Sequence, residues 1–68
     1  MGQVLRITVD QTDYAFKLLN WDAGALKVEL DGEIYNLKRE GRSWVNADGL
    51  ESQLAEAIGK SVALRYRI

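Results

Sequence analysis

Apolar and polar side chains alternate with period two through the first 46 residues, the pattern of strands buried on one face only. Leu5, Ile7 and Val9 are interleaved with Arg6 and Thr8, and Tyr14, Phe16 and Leu18 with Ala15 and Lys17. Leu26, Val28 and Leu30 then alternate with Lys27 and Glu29, and Tyr35 and Leu37 with Asn36 and Lys38. Asp10 to Asp13 read as a turn, Asn20 to Gly24 as a loop, and Asp31-Gly32 as the central pair of a type I′ hairpin turn. Glu40-Gly41 marks another tight turn, after which Arg42 to Asn46 return as a short strand carrying Trp44. Strands joined by turns this short are antiparallel neighbours, so the pattern predicts a five-stranded meander.

Residues 4–18 and 25–39 are two copies of one hairpin pattern, offset by 21 positions without a gap. Leu5-Arg6-Ile7-Thr8-Val9-Asp10 aligns with Leu26-Lys27-Val28-Glu29-Leu30-Asp31, and Tyr14/Lys17 with Tyr35/Lys38. The repeat assigns side chains to faces, because directly opposed residues of an antiparallel pair share one. The inner set is Leu5, Ile7, Val9, Tyr14, Phe16, Leu18, Leu26, Val28, Leu30, Tyr35, Leu37, Trp44, Leu64 and Tyr66. The outer set includes Arg6, Lys17, Lys27, Ile34, Lys38, Val45, Arg65 and Arg67, with Glu29 as its only acid.

The period changes near residue 48. Leu50, Leu54, Ala57 and Ile58 form a helical stripe, which predicts a helix over about 49–58. Asp48 and Glu51 have the spacing of a capping box, and Gly59 suits the left-handed residue that follows a helix end. Val62, Leu64, Tyr66 and Ile68 alternate again and predict a final strand over about 62–68. The expected fold class is α+β. One small domain spanning 1–68 carries an antiparallel β-meander of about five strands, as a twisted sheet or partly open barrel. One α-helix and a C-terminal strand complete it.

Composition narrows the function classes. The chain has no Cys and no His, so disulfides and the commonest metal ligands and catalytic bases are missing. With no metal and no cofactor expected, a 68-residue core is marginal, and self-association is one way to supplement it. The formal charge of −1 gives no global attraction to nucleic acid or anionic membrane. No apolar run approaches the roughly 20 residues that span a bilayer, and no secretory signal is visible, so a cytoplasmic location without membrane contact is expected. Asp10, Asp13, Asp22, Asp31 and Asp48 all fall at turns or a cap, where local backbone bonding accounts for them. There is no EF-hand spacing, no Walker A loop and no GxGxxG, and no enzyme activity is expected.

The candidate chemistry therefore lies on surfaces. Arg6, Lys17, Lys27, Lys38, Arg65 and Arg67 form a candidate basic binding face, set against acids in the turns and on the helix. The aromatics are sent inward by parity, which removes the stacking platform of single-strand nucleic-acid binders. Trp21 falls outside the alternation, either as an interface anchor or, on the preferred reading, as a plug over the core end joined by Leu19. Leu19, Ile34 and Val45 have loop or outer-face parity and would make a docking patch if clustered.

The stretch from Ile7 to Glu40, with its Asn20-Trp21 loop and Leu30-Asp31-Gly32-Glu33-Ile34-Tyr35-Asn36-Leu37 hairpin, resembles the segment preceding the biotinyl domain in some biotin-dependent carboxylase carrier subunits. The biotin-bearing Met-Lys-Met turn of that family does not occur, since Lys17, Lys27, Lys38 and Lys60 all lack flanking Met. The resemblance implies hairpin geometry and carries over no site residue. The expected function is a non-catalytic binding or interaction module with a protein partner, self or other. The alternatives are weak anion or nucleic-acid binding through the basic face, and an accessory domain of a larger enzyme or carrier system.

Overall fold

The computed structural model describes residues 3–22, 24–46 and 48–67. Five strands, β1 Gln3–Val9, β2 Thr12–Trp21, β3 Ala25–Leu30, β4 Glu33–Glu40 and β5 Ser43–Asn46, precede one helix, α1 Ser52–Tyr66. The strands are joined in sequence order into one antiparallel sheet, which curls into a half-barrel. The helix packs against β5, β1 and β4, so it lies across the gap between the two edge strands.

Turn chemistry sets the register. Asp31 and Gly32 both have positive φ (53° and 81°), the sign pattern of the expected type I′ turn. The first turn is tighter than Asp10 to Asp13. Asp10 and Gln11 alone make it, with φ of 51° and 65°, and Asp13 already belongs to β2, where its carboxylate accepts the Thr8 hydroxyl at 2.7 Å. In the β4–β5 hairpin Gly41 alone has positive φ (63°), as the first central residue of a II′ turn does, and Arg42 follows it.

The loop after β2 is shorter than Asn20 to Gly24, because the strand continues through Trp21. Asp22 closes the turn, its Oδ1 accepting the backbone N–H of Gly24 and Ala25 at 2.8 and 2.9 Å; Ala23 lies outside the described residues. Within β2 the register slips: Leu18 pairs with Val28, but Asn20 pairs with Lys27 and Trp21 with Leu26. Leu19 is the extra residue of a β-bulge, and it moves Trp21 onto the face shared with Leu26.

The core joins sheet residues Leu5, Phe16, Leu18, Leu26, Val28, Leu30, Leu37 and Trp44 to helix residues Leu54, Ala55, Ile58 and Val62. Ile7, Val9, Tyr14, Tyr35, Leu50 and Tyr66 are half-buried against it. The inner face read from strand parity is therefore the buried one over β1–β5.

The end of the chain differs from the sequence expectation. The helix runs to Tyr66, so Val62 to Tyr66 are helical rather than a final strand, and Ile68 lies outside the described residues. Leu54, Ile58, Val62 and Tyr66 recur every four residues and make one continuous stripe toward the sheet. Leu64 falls off that stripe and is 82% exposed, not inner. Gly59 does not end the helix; it is buried in its middle against the Trp44 indole, where no Cβ fits. Arg67 ends it in a left-handed conformation (φ 57°, ψ 49°), its N–H bonded to the Ala63 carbonyl.

The start of the helix is also later than 49. Glu51 is the N-cap residue and no side chain caps it, so the Asp48–Glu51 capping box does not form. Asp48 instead accepts the Asn36 backbone N–H at 2.7 Å. Asn46 organises the approach: its Oδ1 accepts the N–H of Asp48 and of Leu50, each at 3.0 Å, and its Nδ2 donates to the Leu50 carbonyl at 3.1 Å.

Candidate functional site

The outer face of the sheet carries Arg6, Lys17, Lys27 and Lys38, all exposed. Arg6 stands opposite Ala15, Lys17 opposite Val4 and Glu29, Lys27 opposite Asn20 and Asn36, and Lys38 opposite Ala25 and Val45. Each of these basic residues is thus diagonal to the next, and diagonal neighbours of a strand pair lie about 7–8 Å apart. The result is one oblique stripe of positive charge from β1 to β4. Arg65 and Arg67 do not extend it, because both belong to the helix end and its cap.

Register also places acids on this face. Glu29 lies beside Lys17, Asp13 opposite Thr8, and Glu40 opposite Ser43 two residues beyond Lys38. The expected segregation into a basic sheet face and an acidic helix side does not hold. What the fold produces is a local diagonal within a mixed-charge surface.

The candidate apolar residues are not brought into one patch. Ile34 lies opposite Glu29 and Val45 opposite Lys38, four residues apart along β4; both are exposed, as is Val4 opposite Lys17. They border the stripe singly. Leu19 is the half-buried bulge residue. Trp21 turns to the other side, where its ring stacks on Tyr66 with centroids 5.0 Å apart and planes at 26°. The Tyr66 hydroxyl donates to Gln3 Oε1, so β1, β2 and the helix end are tied together there. Trp21 thus lies over one end of the sheet, though 43% of its surface stays exposed.

A second cluster of cations was not singled out by the sequence. Arg39 on β4, Arg42 in the β4–β5 turn and Lys60 on the helix border a cleft of about 420 Å³ floored by Trp44 and Ala63, with Leu64 on its wall. No Asp or Glu lines it. The Arg39 guanidinium carbon is 5.5 Å from the Trp44 ring centroid, a cation–π distance. One signal was readable: Arg39 pairs with Trp44 and has the parity of Leu37, so a charged residue occupies an inner-face position. The position of Lys60 was hidden, because it depends on a helix that continues past Gly59.

Chemically these surfaces can hold anions. Among the described residues no group of three or more Asp and Glu side chains forms a metal-ligand cluster, and no polar side chain is buried. Neither a protein-family model, nor a curated protein, nor a solved structure matches the chain. The likeness of residues 7–40 to carrier-subunit segments therefore has no family match behind it.

Proposed function

We propose that the protein is a non-catalytic binding module that docks an acidic segment of a partner protein across the outer face of its sheet. The supporting observation is the diagonal of Arg6, Lys17, Lys27 and Lys38, displayed on a face that the helix leaves uncovered. Opposite charge across such a face steers encounter and fixes register, and exposed apolar residues beside it add contact area. Val4, Ile34 and Val45 stand in those positions. An acidic peptide is preferred over nucleic acid because Tyr14, Phe16, Tyr35 and Trp44 all share the helix-side face, so bases find no stacking partner on the outer one.

The test is a titration with a glutamate-rich peptide, followed by backbone N–H NMR shifts, beside a single-stranded oligonucleotide of equal charge. The peptide is expected to shift resonances along the diagonal and to weaken as salt is raised. Lys27→Glu with Lys38→Glu should remove the binding while the shift pattern of a folded sheet persists. Absence of peptide binding at low salt overturns the reading. Tighter binding of the oligonucleotide on the same residues replaces it with the nucleic-acid alternative.

A further inference from the structure

The cleft between the β4–β5 hairpin and the helix is a second basic surface, separate from the outer-face diagonal. Its cations arrive from three elements: Arg39 from β4, Arg42 from the turn after it, and Lys60 from the helix. Their placement is fixed by packing. Gly59, one residue before Lys60, lies against the Trp44 indole so closely that helix and β5 have one relative position. Trp44 is only 3% exposed, and Arg39 lies over its ring.

Like charges brought to one place repel, and this wall holds no acid to offset them. Glu56, one helical turn before Lys60, does not line the cleft: its Oε1 accepts the Trp44 backbone N–H at 3.4 Å, and it borders an adjoining depression with Lys60. Arg39 and Arg42 are thus the cations left without an acid beside them in the cleft. A cluster of this kind is relieved by an external anion, and a guanidinium fork matches the two oxygens of a carboxylate or phosphate. The rest of the lining is apolar. Ala63 lies at the cleft, and Leu64 stands beside the cations almost fully in solvent. A bare inorganic ion would leave Leu64 exposed, whereas an apolar body attached to the anionic head would cover it. The volume, about 420 Å³, is in the range of small-ligand sites.

We infer that this cleft binds an amphiphilic organic anion: a carboxylate or phosphate head held by Arg39, Arg42 and Lys60, with an apolar body against Ala63 and Leu64. The site does not depend on the outer-face reading, since none of its residues belongs to the diagonal.

Four probes test it on the intact chain by NMR: octanoate, octyl phosphate, octanol and inorganic phosphate. At least one of the two anionic amphiphiles is expected to saturate, with shifts centred on the Trp44 indole N–H and the backbone N–H groups of 60–64. The tighter of the two identifies the head. Octanol and inorganic phosphate should each bind at least tenfold more weakly than that probe. Arg42→Gln and Lys60→Gln, at exposed positions that leave the core intact, should together weaken it at least tenfold. Lys27→Glu with Lys38→Glu should leave it unchanged. The inference fails if neither anionic amphiphile saturates, if octanol binds as tightly, or if the Arg42 and Lys60 changes have no effect. It also fails if the Lys27 and Lys38 changes abolish binding, because the anion then belongs to the outer face.

Discussion

Gly59 shows how one residue type can carry opposite structural messages. In the interior of a helix, glycine costs about 1 kcal/mol relative to alanine, so Gly59→Ala taken as a helix substitution should stabilise the fold. The Trp44 indole reverses the sign. A Cβ at position 59 would fall inside ring atoms of a side chain that is itself buried and cannot swing into solvent. Overpacking of this kind costs about 1–3 kcal/mol and exceeds the gain in propensity. Gly59→Ala is therefore expected to lower the urea midpoint, with a net loss of up to about 2 kcal/mol. A raised midpoint would show that helix and β5 can separate without cost. The same contact explains why Gly59 invites misreading: a glycine that ends a helix and one that admits a neighbouring ring look alike in sequence.

At the scale of elements, the strands were legible and the end of the chain was not. Period-two alternation has one buried solution per strand, so the inner faces of β1 to β5 followed from parity, and Asp31-Gly32 fixed a hairpin by its need for positive φ. Val62, Leu64 and Tyr66 satisfy the same alternation, yet Val62 and Tyr66 with Leu54 and Ile58 also satisfy a four-residue period, which leaves Leu64 out. The helix wins because its stripe buries Leu54, Ile58 and Val62 over the sheet. The two readings differ in a measurable way. Leu64→Gln, with nearly equal helix propensity at an 82% exposed position, should change stability by less than about 0.5 kcal/mol. Val62→Ala, fully buried, should cost roughly 1–3 kcal/mol. Equal and large losses at both positions would restore the strand. The bulge at Leu19 is the other feature hidden from alternation, since an inserted residue changes parity without changing composition. Deleting Leu19 should close the ladder into a regular one that keeps Asn20 opposite Lys27 and Trp21 opposite Leu26. The Trp21–Tyr66 ring contact should then persist in NOE spectra, and its loss would show that Leu19 is not the inserted residue.

Over the whole molecule, the helix found among the described residues covers only one side of the sheet, and the other side, with the diagonal of basic residues, is left to solvent. A marginal core makes self-association an economical remedy, and a two-fold dimer would use this face against its own copy. The diagonal argues against that arrangement. An isologous contact sets the Arg6–Lys17–Lys27–Lys38 stripe across from an identical stripe, and Glu29 is its only acid in direct lateral register. At low ionic strength, where the Debye length is about 30 Å at 0.01 M, that repulsion is least screened. Sedimentation equilibrium is thus expected to find a monomer at low salt, with any association through this face increasing as salt is added. Lys27→Glu with Lys38→Glu gives the stripe one positive half and one negative half, so the same low-salt conditions should then favour a dimer more than they do for the native chain. A native dimer that forms at low salt and dissociates as salt rises would mean that acids of one copy meet the diagonal of another. The acidic segment proposed for a foreign partner would then be supplied by the protein itself.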